Sequence, residues 1–145
     1  MIVYRTELDE NKIPYVVQER KVHYGITPHP DSVTEMLNTV VRLGHLAEEH
    51  IYEVCLSSAS EPIGIFEVGQ GSLSAAPVSP LVIFRNALLL NAPAVIIAHN
   101  HPSGSLEASF EDLECRDRLK NAGELLGVKL LDFLVLSGVA FSSLM

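Results

Sequence analysis

Long apolar runs are missing from this 145-residue chain, as are tryptophan and all but two cysteines. No stretch approaches the roughly 20 apolar residues that a membrane-spanning helix needs, so no membrane segment is expected. Cys55 and Cys115 lie far apart and form no Cys-x-x-Cys pair. That excludes a disulfide framework and a cysteine zinc site, and leaves two reduced, partly buried thiols. Acidic residues enter MIVYRTELDE before an apolar signal-peptide core could form, which makes the cytoplasm the expected location. Positive charge is scarce: ten Lys and Arg stand against eighteen Asp and Glu, for a net charge of −8. Arg116, Arg118 and Lys120 make one small basic patch on a predicted helix, read as a solvated face. Nothing tracks a phosphate backbone, so direct nucleic-acid binding is expected to be weak. Low-complexity segments are absent too, and with 48% hydrophobic residues the whole chain is expected to form a single domain, 1–145, around one core.

What is present alternates between strand and helix patterns. Ile13 to His23 alternate loosely around Tyr15, Val16 and Val17, which suits a strand, and residues 1–26 read as an N-terminal strand extension of a core at 27–145. Thr27, Pro28, His29 and Pro30 form a turn. Asp31 then stands as N-cap before Val33, Met36, Leu37, Val40, Val41 and Leu43, a helix ending near Gly44. The strand formers IYEVCL, the turn Ser57 to Pro62 and IGIFEVG predict a hairpin. A link, GQGSLSAAPVSP, leads through the Ser79–Pro80 start signal into the helix LVIFRNALLLN. The apolar run Ala94 to Ala98 predicts a strand buried on both faces. HPSGSLEA is a loop, and Ser109 opens a helix carrying Leu113, Leu119, Leu125 and Leu126 that stops at Gly127. VKLLDFLVLSG and AFSSLM give a strand and a short edge strand. The fold class is α/β, a mixed β-sheet sandwiched by helices.

The chemistry concentrates between Ile96 and Asp112. Side chains alternate along a strand, so His99 and His101 point to the same side while the chain stays extended. A carboxylate from the first turn of the next helix, Asp112, supplies a third ligand. A fourth position stays open for water, the arrangement of a catalytic rather than a structural zinc site. His-x-His alone is met as often in buried, hydrogen-bonded histidines. The full pattern, His-x-His-Pro-Ser-Gly with Ser109 and Asp112 at fixed offsets, is far more specific because it sets turn, cap and ligand together. Ser109 to Asp112 also fits a capping box, which competes with ligation for one carboxylate. A deaminase would need H-x-E and P-C-x-x-C, which are absent; Ser103 lacks the G-x-S-x-G elbow of a serine hydrolase. His23, His29 and His45 read as exposed or locally bonded, and Cys115, one turn after Asp112, as a packed thiol.

HNHPSG followed by SFED resembles the JAMM motif of MPN-domain metallohydrolases, in the RadC-like branch (JAB domain). The similarity runs from about Thr27 to the C-terminus and takes in EHIYEVCL, FEVGQGSL, VSP, NAGELLGV and LLD. It implies the MPN/JAB fold, which is cytidine-deaminase-like, with one zinc ion held by His99, His101 and Asp112. It further implies that Ser109 positions or polarises the substrate carbonyl and that Glu49 is the acid/base, with Glu48 and Glu53 as its nearest rivals. The implied activity is peptidase or isopeptidase-like amide hydrolysis of a protein or peptide by zinc-bound water. The alternative is a non-catalytic module tied to DNA repair or mobile elements; a homodimer stays open. Leu81 and Val82 stand where relatives commonly carry Arg-Glu, Phe133 where histidine is common, and Ala108 where proline is usual.

Overall fold

A computed structural model describes residues 1–25, 28–71 and 78–145. Thr27 of the predicted turn and positions 72–77 of the predicted link lie outside the described residues. The described elements are β1 (Ile2–Leu8), β2 (Pro14–Lys21), α1 (Pro30–Val40), a single 3-10 turn (Leu43–His45), β3 (His50–Leu56), β4 (Pro62–Gln70), α2 (Pro80–Leu89), β5 (Ala94–Asn100), α3 (Phe110–Leu126), β6 (Lys129–Ser137) and β7 (Ala140–Ser143). The strands form one mixed sheet in the order β2-β1-β4-β3-β5-β6-β7, the α/β arrangement expected.

The sheet is built outward from β5. Val95, Ile96, Ile97 and Ala98 are fully buried, so this strand needs cover on both faces and a partner on each edge. β3 pairs with it antiparallel and β6 pairs with it parallel. Parallel pairing requires a long crossover, and α3 supplies it. On one face Ile97, Cys55, Phe66 and Phe133 pack against Ile83 and Phe84 of α2 and Cys115 and Leu119 of α3. On the other, Val54, Ile96, Leu134 and Leu136 pack against Val33, Met36 and Leu37 of α1. Each fully buried aliphatic or aromatic side chain contributes roughly 1.5–3 kcal/mol.

Several sequence expectations are corrected. The N-terminal extension holds two strands rather than one: β1 pairs with β2 antiparallel and with β4 in parallel, which joins the extension to the main sheet. The early strand is Pro14–Lys21 within the predicted Ile13 to His23. Asp31 is not the N-cap of α1; His29 is, without a side-chain cap bond, and Asp31 lies in the first turn. The helix stops at Val40, because Arg42 turns into the left-handed region at φ 57 and a separate 3-10 turn follows. In that turn Gly44 approaches the β6–β7 connection so closely that a Cβ would fall 2.0 Å from the Gly138 carbonyl oxygen. Gly138 N–H in turn donates to Gly44 O at 2.7 Å. In α3 the buried stripe is Asp112, Cys115, Leu119 and Gly123, whereas Leu113, Leu125 and Leu126 face outward.

Candidate metal centre

The site forms where β5 leaves the sheet. His99 is the next-to-last residue of β5 and His101 follows the strand's end. His101 N–H donates to Leu136 O of β6 at 2.8 Å, which keeps the backbone extended through both histidines. Gly104, at φ +92, then turns the loop back with its N–H on His101 O at 3.1 Å. That conformation favours glycine because it lacks a Cβ. Ser142 of β7 donates its hydroxyl to Leu106 O at 2.7 Å and pins the returning loop.

Ser109 caps α3 and brings Asp112 to the histidines. Ser109 Oγ accepts from Asp112 N–H at 3.0 Å, and Ser109 N–H donates to Asp112 Oδ2 at 2.8 Å, a complete capping box. The competition seen in the sequence is therefore resolved by division. Asp112 Oδ1 lies 3.1 Å from His99 Nε2, and Oδ2 lies 3.4 Å from His101 Nε2 while also serving the cap. Each carboxylate oxygen has two lone pairs, so the roles coexist. Burial pushes the Asp112 carboxyl up, but the His99 ring, the Ser109 N–H and His101 outweigh it and hold the group below the ordinary aspartate range.

The donor atoms of His99, His101 and Asp112 all lie within 4.8 Å of one another. His99 and Asp112 are each 1% exposed, and His101 is half-buried. His101 Nδ1 bonds to the Ser105 carbonyl oxygen at 2.9 Å. A carbonyl only accepts, so a proton sits on Nδ1, which leaves Nε2, facing Asp112, as the nitrogen available to a metal. Among the described residues His99 Nε2 is buried without a hydrogen-bond partner, although Asp112 Oδ1 lies 3.1 Å away. An orphaned buried nitrogen beside a carboxylate and a second free imidazole nitrogen fits a divalent cation. Two nitrogens and a carboxylate are donors that zinc accepts.

Glu49 precedes β3 in an irregular segment. It is half-buried, and its carbonyl accepts from Gly71 N–H at 2.8 Å. The antiparallel β3–β5 pairing begins at Ile51 and His99, so Glu49 lies two residues beyond its first pair, at the end of the sheet where His101 leaves β5. Its carboxylate is not one of the clustered donors. Of its rivals, Glu48 is exposed and Glu53 is buried one step deeper, where its carboxylate accepts from Asn86 Nδ2 of α2 at 3.0 Å. His50 faces away from the centre and pairs with Glu67. Cys115 is buried in the core, and burial lifts its thiol to about 11. His23, His29 and His45 are exposed, as is Leu81, which stands where relatives commonly carry arginine.

Sequence reasoning missed Asn100, the middle letter of HNH. Its buried Oδ1 accepts from His50 N–H at 2.7 Å, and its Nδ2 donates to Glu48 O at 2.9 Å and Leu46 O at 3.3 Å. These bonds clamp the segment carrying Glu49 against β5. The signal available was a polar residue continuing a fully buried strand, which must find partners. The Ser105 carbonyl left no signal, because any residue could supply it.

Comparison with known proteins shows the family. A family model described as RadC-like JAB domain matches residues 27–145. The chain is 42% identical over 108 residues to a UPF0758 protein of Carboxydothermus hydrogenoformans, covering 74% of this chain and 47% of that protein. It is 36% identical over 122 residues to a UPF0758 protein of Alkaliphilus metalliredigens, covering 84% and 51%. With one from Clostridium kluyveri it shares 39% identity over 99 residues, covering 68% and 43%. The chain spans about half the length of these curated relatives. The match takes in β5, its loop and α3, the segments that gather the two histidines and the aspartate, and on it the chain belongs to the RadC-like JAB domain family.

Proposed function

We propose that this chain is a zinc-dependent hydrolase that cleaves amide bonds in a protein or peptide, with His99, His101 and Asp112 as the metal ligands. The observation that carries this reading is the convergence of two buried or half-buried imidazole nitrogens, one on a ring oriented by the Ser105 carbonyl, on a carboxylate held below its ordinary pKa. Zinc bound there supplies Lewis acidity and lowers the pKa of a coordinated water from 15.7 to about 7.

The chain's own groups divide the remaining work. The Glu49 carboxylate accepts a proton from the attacking water and returns it to the departing amine, a role that contributes typically about 10²–10⁴-fold. Asn100 holds its segment in place. Ser109 Oγ already accepts from Asp112 N–H, so its own hydrogen is left to donate to the scissile carbonyl oxygen as charge develops there. The half-buried ring of His101 is the most exposed of the three ligands.

Hydrolysis across peptide and isopeptide libraries, with the parent compared against Glu49→Gln and His101→Ala, tests this assignment. Turnover by the parent and a loss of about 100-fold or more in both variants is expected. Equal turnover in all three excludes the mechanism. A parent that holds zinc and cleaves no member of either library favours the non-catalytic module.

A further inference from the structure

Asn100 stands between the two histidines of the metal centre and is 1% exposed. Alternation along β5 sends its side chain away from the imidazole of His99. All three of its bonds go to main chain: Oδ1 takes the His50 N–H, and Nδ2 gives to the Glu48 and Leu46 carbonyls. A backbone N–H only donates and a carbonyl only accepts, so the amide can sit in one orientation alone. Two of the bonds fall on the residues directly before and after Glu49. The stretch from Leu46 to Glu49 belongs to no helix or strand. Apart from Asn100, its main chain is held by Leu46 N–H on Leu43 O at 3.4 Å and Gly71 N–H on Glu49 O at 2.8 Å. The Glu49 carboxylate has no hydrogen-bond or ion-pair partner among the described residues, so its main chain is what places it.

One side chain therefore ties the strand that carries the histidines to the segment that carries the carboxylate. Resting on the hydrolase reading above, we infer that Asn100 is a positioning residue that sets kcat by fixing Glu49 relative to His99 and His101. The requirement is for an amide. A serine hydroxyl has one hydrogen for two carbonyls, and an aspartate carboxylate has none. Released from Asn100, the segment keeps its sequence and its carboxylate but loses its register with the metal centre. A misplacement of about 1 Å can cost about 100-fold in rate.

A double-mutant cycle on kcat separates this role from general support of the fold. Asn100→Ala should keep its metal and lose about 100-fold in kcat, with KM unchanged because the loss falls on the transition state. In a Glu49→Gln background the same change should cost no more than about twofold, since the group it places is already gone. A folded Asn100→Ala chain that turns over like the parent, or a loss that multiplies with that of Glu49→Gln, overturns the inference. Two further readouts need no substrate. Amide hydrogen exchange in the parent should find the His50 N–H as slow as the interior of β3. In cobalt(II)-loaded parent, carbon-13 spectra should show the Glu49 carboxyl shifted by the metal. Asn100→Ala should lose both signatures. A fast His50 amide in the parent, or a Glu49 carboxyl unmoved by bound cobalt, overturns the inference even if no variant folds. A parent that shows both signatures and cleaves nothing refutes the hydrolase reading and leaves the placement of Glu49 standing. A parent that takes up no cobalt refutes the metal-site reading on which both rest.

Discussion

Changing Glu53 to glutamine should flatten the pH dependence of folding stability. Glu53 is fully buried in β3. Its Oε2 accepts from Asn86 Nδ2 at 3.0 Å, its Oε1 faces the Cys55 thiol at 3.7 Å, and Asn86 Oδ1 accepts from Thr6 Oγ at 2.8 Å. Burial raises its carboxyl from 4.5 to about 8, against the smaller opposing pull of Asn86, Cys55 and Arg85. Between those two values the folded chain keeps a proton that the unfolded chain has lost, so stability falls as pH rises through the window and levels off above it. At about 1.4 kcal/mol per pH unit, the full loss is on the order of 5 kcal/mol, a large part of a typical domain's stability. Glutamine keeps the volume and can accept the Asn86 bond, but carries no titrating proton. Urea unfolding of parent and Glu53→Gln at pH 5 and pH 9 should give similar stabilities at pH 5 and a glutamine variant several kcal/mol more stable at pH 9. Parallel stability–pH curves would refute the argument, since they would mean that Glu53 titrates alike in the folded and unfolded states.

Other substitutions probe the elements that place the site. Gly44→Ala drives a Cβ into the Gly138 carbonyl at 2.0 Å, so chemical denaturation should show a loss of several kcal/mol, the scale of core overpacking or more. Ser109→Ala removes the hydroxyl that accepts Asp112 N–H and should cost about 1 kcal/mol in the same assay; it should also slow any hydrolysis while zinc stays bound. Leu125→Glu, at a position 90% exposed, should change stability by less than about 0.5 kcal/mol, which separates the outward leucines of α3 from its buried stripe.

Much of the centre was legible because its pattern is local. The apolar run before His99 predicted a buried strand, Ser109 predicted the cap, and the offset to Asp112 predicted the third donor; all lie within one β-loop-α unit. What stayed hidden depends on distant partners. Nothing near Ile2–Leu8 announces that β1 pairs in parallel with β4, since that register is set by a strand some sixty residues on. Three of the four α3 leucines misled for a related reason: besides Leu119, the helix turns inward Asp112, Cys115 and Gly123, which an apolar pattern does not pick out. Gly123 is needed where α3 ends, because a Cβ there would meet the Val128 carbonyl oxygen at 2.2 Å as the chain leaves the same helix. The helix predicted to run to near Gly44 stops short of it, because Arg42 breaks the chain into a left-handed turn that no residue in its neighbourhood advertises, and Glu49 falls in the irregular segment that follows.

The central claim is that His99, His101 and Asp112 together hold one divalent cation. Elemental analysis of protein purified without chelators, beside His101→Ala and Asp112→Ala, tests it most directly. The account predicts about one zinc per parent chain and little in either variant, in keeping with a site of three protein ligands. Parent chains free of metal after zinc supplementation, or variants that retain it in full, would contradict it.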